Sequence, residues 1–408
     1  MLRLVTILGF AAICWAGSLE WPQFGGPHGN FKSDAKGLAN SWPAQGPKQL
    51  WTRQLGDGYS AISVDGNVIY TMYRTLNDEV VLAADAETGK TIWEYRYDAR
   101  IRAGMGMENG PGPHATPLVS ENGVYAIGIL GNLVCLNKKT GKLIWSHNLY
   151  EEFHGTFFDR GYAPSPVAYK DLVIMKVGGD GHSFMAFDQK TGTVVWKTLQ
   201  KFVNAPATPV LINVDGQDQL VAPMSDEVVG IDPTNGWVLW SYPHTTNWGL
   251  NISMPVWGDD HLLFISSAYN GGSAVIRLAR QGGKTVPSEV WQSQRIRVHF
   301  STVVRVGDYV YGSSGDFGPA PLTAVDVKTG KVAWQDRSFP KASFVYADGK
   351  FIVVDEDGNL ALADFTPQGL KVLSRVALLH SNAWTAPTPA GGRLYLRDRS
   401  RLMALDLR

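Results

Sequence analysis

One eleven-residue pattern, A-x-D-x-x-T-G-x-x-x-W, governs what this chain can fold into. It stands intact at residues 83–93, 186–196 and 324–334. Residues 135–145 keep it with Asn137 in place of Asp, and residues 230–240 keep Asp232 but turn through Asn235-Gly236. In every copy the tryptophan follows the Asp or Asn by eight residues. An Asp or Asn side chain can bond its own turn backbone and Gly accepts positive φ, so the pattern predicts a β-hairpin with an indole at a fixed place on its second strand.

Another strand pair precedes each copy, as at residues 61–70, 303–311 and 344–353, so one unit is about four strands. A decayed copy ends at Trp291, and a further one near residues 360–373 has lost its tryptophan and carries Ala363 or Asp364 near the Asp position. Ala404-Leu405-Asp406 is the front half of a copy whose rear half is missing, and Leu50-Trp51 is that rear half. Tryptophans 51, 93, 145, 196, 240, 291 and 334, with the degenerate unit, count eight blades. Four-stranded units of this period pack face to face about an axis, with one large side chain between neighbours. The expected fold is all-β: an eight-bladed β-propeller of four-stranded blades, closed by pairing its N- and C-terminal strands, which leaves no open edge across the ring.

Composition narrows the function. Lys plus Arg and Asp plus Glu both total 37, a balance that disfavours nucleic acid and acidic membranes as partners. Residues 1–18 combine Arg3, an apolar run and small residues, the pattern of a signal peptide and hence of export. The run is too short to span a bilayer, and no second stretch approaches that length. Cys14 follows Ile13, where lipid attachment favours a small residue. Cys135 would then be the single mature cysteine, which rules out an intramolecular disulfide, a CxxCH haem site and a Cys-based zinc site. Residues 19–46 hold no repeat and are expected to wrap over a propeller domain at 47–408.

These units resemble the tryptophan-docking repeats of pyrroloquinoline quinone (PQQ) propellers, over nearly all of residues 47–408. The family includes periplasmic dehydrogenases that bind PQQ and calcium, and BamB-type outer-membrane assembly factors that have the blades without the cofactor. The leader Trp21-Pro22-Gln23-Phe24-Gly25-Gly26-Pro27 is similar to that of exported BamB-like proteins. The resemblance therefore implies the fold and export, and leaves two chemistries open.

In a propeller the loops from one blade's outer strand to the next blade's inner strand gather at one mouth of the central channel, where ligand sites usually lie. One residue before each inner strand is expected to contribute to a polar ring: Tyr59, His114, Tyr162, Asn204, Asn251, His299, Lys341 and Asn382. Two of the loops, 100–113 and 150–161, exceed what a connection needs. A PQQ enzyme would draw cations from Arg102, Arg160, Arg295 or Arg297, a ring platform from Trp248 or Trp384, calcium ligands from Glu108, Asn109 or Asn251, and its base from Asp159. His114, Tyr162, His299 and Asn382 complete the candidate ligand contacts. Many quinoprotein alcohol dehydrogenases carry a disulfide of adjacent cysteines over the cofactor, which this chain lacks. Walker A, HExxH and GxSxG motifs are absent. The acidic run at residues 355–359 lacks EF-hand spacing and is expected to be a turn.

The expectation is an exported, non-catalytic, BamB-like propeller without cofactor, binding a protein or small ligand at its loop face. The alternative is a PQQ- and calcium-dependent dehydrogenase oxidising an alcohol or sugar.

Overall fold

The computed structural model describes residues 20–318, 320–380 and 382–408, and the expected signal at 1–18 lies outside them. Eight sheets of consecutive antiparallel strands follow one another along the chain. Blade one begins at Ser63–Asp65 and ends at Thr91–Asp98, and blade seven begins at Ser343–Ala347 and ends at Gly369–Ala377. Blade eight takes Thr388–Ala390, Arg393–Arg397 and Arg401–Asp406 from the C-terminus and its outer strand, Gln49–Gln54, from the N-terminus. In that closing pair Trp51 stands opposite Ala404, as Trp93 stands opposite Ala83 within blade one. The fold is an eight-bladed β-propeller, and among the described residues there is no helix.

The repeat works as an inter-blade lock. Five of the indoles reach the next blade's turn and donate Nε1–H to the carbonyl just after the repeat's Asp or its counterpart: Trp51 to Ala86 at 3.1 Å, Trp93 to Lys138 at 2.8 Å, Trp145 to Gln189 at 3.0 Å, Trp196 to Pro233 at 3.1 Å and Trp291 to Val327 at 2.7 Å. The ring also lies on that turn's glycine: a Cβ at Gly89, Gly141, Gly192, Gly236 or Gly330 would come within 2.7 Å of it. Those glycines have φ between +67° and +78°, so the residue is required both by conformation and by the indole above it. Blade five ends in a long hairpin whose Gly282 and Gly283 meet nothing. Trp240 accordingly turns back to Gln219 of its own blade, at 2.7 Å.

Blade seven has Ser374 where the tryptophan would stand, paired with Leu362, and the N-terminal segment supplies the missing lock. The Trp42 N–H donates to Ser374 Oγ at 2.6 Å, and that hydroxyl donates to the Trp42 carbonyl at 3.2 Å. The Leu407 carbonyl, equivalent to that of Ala86, accepts the Ala39 N–H at 2.8 Å. The same segment bridges Val64 of blade one through Trp21, and Lys32–Ser33 adds a parallel strand to Tyr346–Ala347 of blade seven. Trp21 and Phe31 are only 2% and 3% exposed. The segment runs across the turn face of the disc, opposite the face of the long inter-blade loops.

Candidate functional site

Register decides which loop residues meet at the loop-face mouth. In each blade one inner-strand residue pairs with the equivalent second-strand position: Ser63 with Tyr70, Leu118 with Tyr125, Val167 with Ile174, Val210 with Val221, Val256 with Phe264, Val304 with Tyr311, Val345 with Ile352 and Thr388 with Tyr395. Stepping back four residues from each gives Tyr59, His114, Ala163, Pro206, Ile252, Phe300, Lys341 and Trp384. Of the expected residues, Tyr59, His114 and Lys341 occupy this equivalent position, and in the other five blades the expected residue lies one or two positions before it. The equivalent positions are mainly apolar or aromatic. Loop lengths before the inner strands differ, so sequence counting slips, and a slip of one residue exchanges the faces of a strand.

The structure does bring several of these side chains together. Tyr59 stacks on His114 at 6.0 Å and on Trp384 at 5.4 Å, and Trp384 meets Phe300 at 4.9 Å. The arc continues through His299, 4.8 Å from Phe300, to Tyr269, whose hydroxyl is 2.7 Å from His299 Nε2. Trp248, 62% exposed, and Phe317 both pack on Tyr269. Tyr269, Phe300 and Phe317 escaped the sequence reading, because nothing local marks them and only blade geometry joins them.

Other expected residues lie elsewhere. Tyr162 is fully buried and donates to the Lys176 carbonyl at 2.6 Å. Asn204 donates to the same carbonyl at 3.0 Å. Asn251 is fully buried, with its amide on the Met224 carbonyl at 2.6 Å and on the His244 carbonyl at 3.0 Å, and its Oδ1 accepts the Ser267 hydroxyl. These side chains tie blades together. Asn382 is half-buried with φ +65°. Asn109 offers its carbonyl to the Tyr59 hydroxyl, and the side chains of Asp159 and Arg295 are exposed.

Two ion pairs join the long loops, and a third lies beside them. Arg160 binds Glu108 at 2.9 Å, Arg102 binds Glu151 at 3.1 Å and Arg297 lies 3.5 Å from Asp316. Glu108 is held below the usual carboxylate range by its own backbone N–H and by Arg160. Lys341 lies 3.6 Å from Glu356, which also accepts Trp384 Nε1–H at 3.3 Å. Desolvation, helped by the Lys341 charge, pushes His299 down to about 4, and desolvation lowers His114 as well. Both rings are therefore neutral at pH 7.

Calcium requires six to eight oxygens around one point. Asn251 is sealed among backbone carbonyls while Glu108 is exposed on its loop, so these residues do not form one cage. Among the described residues no group of three or more His, Cys, Asp or Glu side chains is placed to hold a metal ion. Cys135 is buried, its thiol pushed up to about 12 by desolvation, and so is unreactive.

Fold and mouth together define a tryptophan-docked eight-bladed propeller with an aromatic, charge-balanced loop face. Residues 77–336 match the family described as outer membrane protein assembly factor BamB, and the chain belongs to that family. It is 23% identical to the BamB of Moranella endobia over 342 residues, covering 82% of this chain and 74% of that protein. It is 32% identical over 158 residues to the dehydrogenase subunit of a quinone alcohol dehydrogenase of Komagataeibacter europaeus, covering 37% of this chain but only 20% of that subunit. The crystal structure of BamB from Moraxella catarrhalis superposes with a TM-score of 0.63 at 17% identity, over 88% of this chain and 99% of that one.

Proposed function

We propose that this chain is an exported, non-catalytic propeller that binds a protein partner or small ligand through its loop face, as an assembly factor of the BamB type. The observation that carries this reading is the pairing at the mouth. Arg102 and Arg160 are neutralised by Glu151 and Glu108, and Tyr162 and Asn251 are buried among backbone carbonyls. PQQ needs free cations for its carboxylates beside an oxygen-rich calcium site, and these four side chains do not fit that demand; of the candidate cations, Arg295 alone has no ion pair among the described residues. Beside the exposed Asp159 and Arg295, the face presents the arc of aromatic rings, the kind of surface that supplies anchors in protein recognition. Asp159 would serve as base, and Glu108 and Asn109 as calcium ligands, only if the loops rearranged around a cofactor.

The alternative, a PQQ- and calcium-dependent dehydrogenase acting on an alcohol or sugar, draws on the match to the Komagataeibacter subunit. One experiment separates the two. Purified protein is incubated with PQQ and calcium and desalted, then assayed for retained cofactor absorbance and dye-linked alcohol oxidation. The expected result is neither; stoichiometric retention with turnover overturns the scaffold reading.

A further inference from the structure

The turn face carries a groove of about 680 Å³ that crosses the inner hairpins of blades three, four and five, far from the aromatic arc. Tyr169 and Trp257 form walls, Ile212 lies at the floor, and Asp215, Asp218 and Asp259 contribute carboxylates. Ile212 is 5% exposed, whereas the three carboxylate residues are exposed, so the groove has an apolar base and an open acidic rim.

Two of those carboxylates, Asp215 and Asp218, are held by neighbouring polar groups, and none of the three has a lysine or arginine ion pair. Asp218 accepts the Tyr169 hydroxyl at 3.1 Å on one oxygen and the Asn213 amide at 2.8 Å on the other. Asp215 lies 3.6 Å from Nε2 of His261, whose ring stacks on Trp257 at 5.9 Å. The neighbouring Asp260, by contrast, is held by Arg305 through bonds of 2.9 and 2.7 Å. Asp215 also accepts the Arg280 backbone N–H at 3.4 Å, but among the described residues no Lys or Arg side-chain nitrogen comes within 4.0 Å of the carboxylates of Asp215, Asp218 or Asp259. The cations around the groove are engaged elsewhere: the Arg280 guanidinium binds Gln217 and the Gly283 carbonyl, Arg277 binds the Asp260 carbonyl at 3.1 Å, Lys170 sits 5.0 Å above the Tyr169 ring, and Lys32 feels Asp259 only at longer range.

The geometry points to a second binding site, for an extended peptide segment that carries two lysine or arginine side chains. Aromatic faces attract ammonium and guanidinium groups. The aliphatic floor suits the methylene stems that such side chains bury. Asp215 and Asp218 belong to blade four and Asp259 to blade five, so two cations spaced along one strand can each find a carboxylate. The volume lies within the range of ligand clefts. A groove open along its rim and spanning three blades lets a chain enter and leave, which a compact diamine does not need.

The test uses the purified protein and a labelled, capped heptapeptide with lysines at its second and sixth positions, read by fluorescence anisotropy at low salt. Saturable binding is expected. Asp215→Asn and Asp218→Asn should each weaken it about two- to fivefold, and the triple change with Asp259→Asn roughly tenfold or more, with unchanged melting temperature. Raising salt should weaken it further through screening. Absence of saturable binding, equal binding of a glutamate-for-lysine peptide, or insensitivity to the triple change overturns the proposal. Spermidine competing at the same concentration as the peptide also overturns it, by assigning the groove to a small polyamine.

Discussion

Replacing Trp51 by Ala tests the seam that closes the ring. The indole is 9% exposed, rests on Gly89 of blade one and lies 6.2 Å from Tyr395. Its partner carbonyl, Ala86, also accepts the Tyr395 hydroxyl at 3.2 Å. Truncation therefore leaves no orphaned acceptor, and the loss is one of packing. Emptying a buried indole site costs about 3–5 kcal/mol. With about 2.1 cal/mol/K of unfolding entropy per residue, the ring carries roughly 0.8 kcal/mol/K, so the melting temperature should fall by about 4–6 °C if the ring melts as one unit. Differential scanning calorimetry measures the shift. Trp51→Phe should recover most of the loss. A shift below about 1 °C would refute the claim that this seam bears stability.

Two further outcomes follow from the same physics. Deleting residues 20–47 should lower stability by several kcal/mol through the loss of Trp21, Phe31 and Trp42 from the core, and Ser374→Trp should recover part of it in the truncated chain alone; equal effects of Ser374→Trp in both backgrounds, read by chemical denaturation, would contradict the substitute-lock account. His244, buried between blades four and five, is pushed by desolvation down to about 4. Because the unfolded chain binds that proton near pH 6.5 and the folded one does not, the contribution of His244 to stability should be full above pH 6.5 and fall by about 2–3 kcal/mol on acidification towards pH 4, with a like term from His299. His244→Gln should remove its share and leave a shallower slope in pH-dependent urea melts.

The long loops show where local pattern stops informing. Arg160 and Glu108 come from different loops, and only the placed blades show that they neutralise each other. The acidic run at Asp355 is a turn, as its spacing implied, with the buried carboxylate accepting the Asn359 backbone and side-chain amides. A turn is a short-range object and is legible. A mouth assembled from eight loops is not.

From residues alone came the ring, its eightfold count and its closure, because the lock is local: a left-handed glycine, an indole at fixed spacing, and a repeat cut across the two ends. Tertiary structure alone decided which side chains face the mouth, since loop lengths set the strand register and one step exchanges inside for outside. It also decided how the blade without a tryptophan is held. Trp42 and Ser374 lie hundreds of residues apart in the chain, and no periodicity links them until the ring has closed.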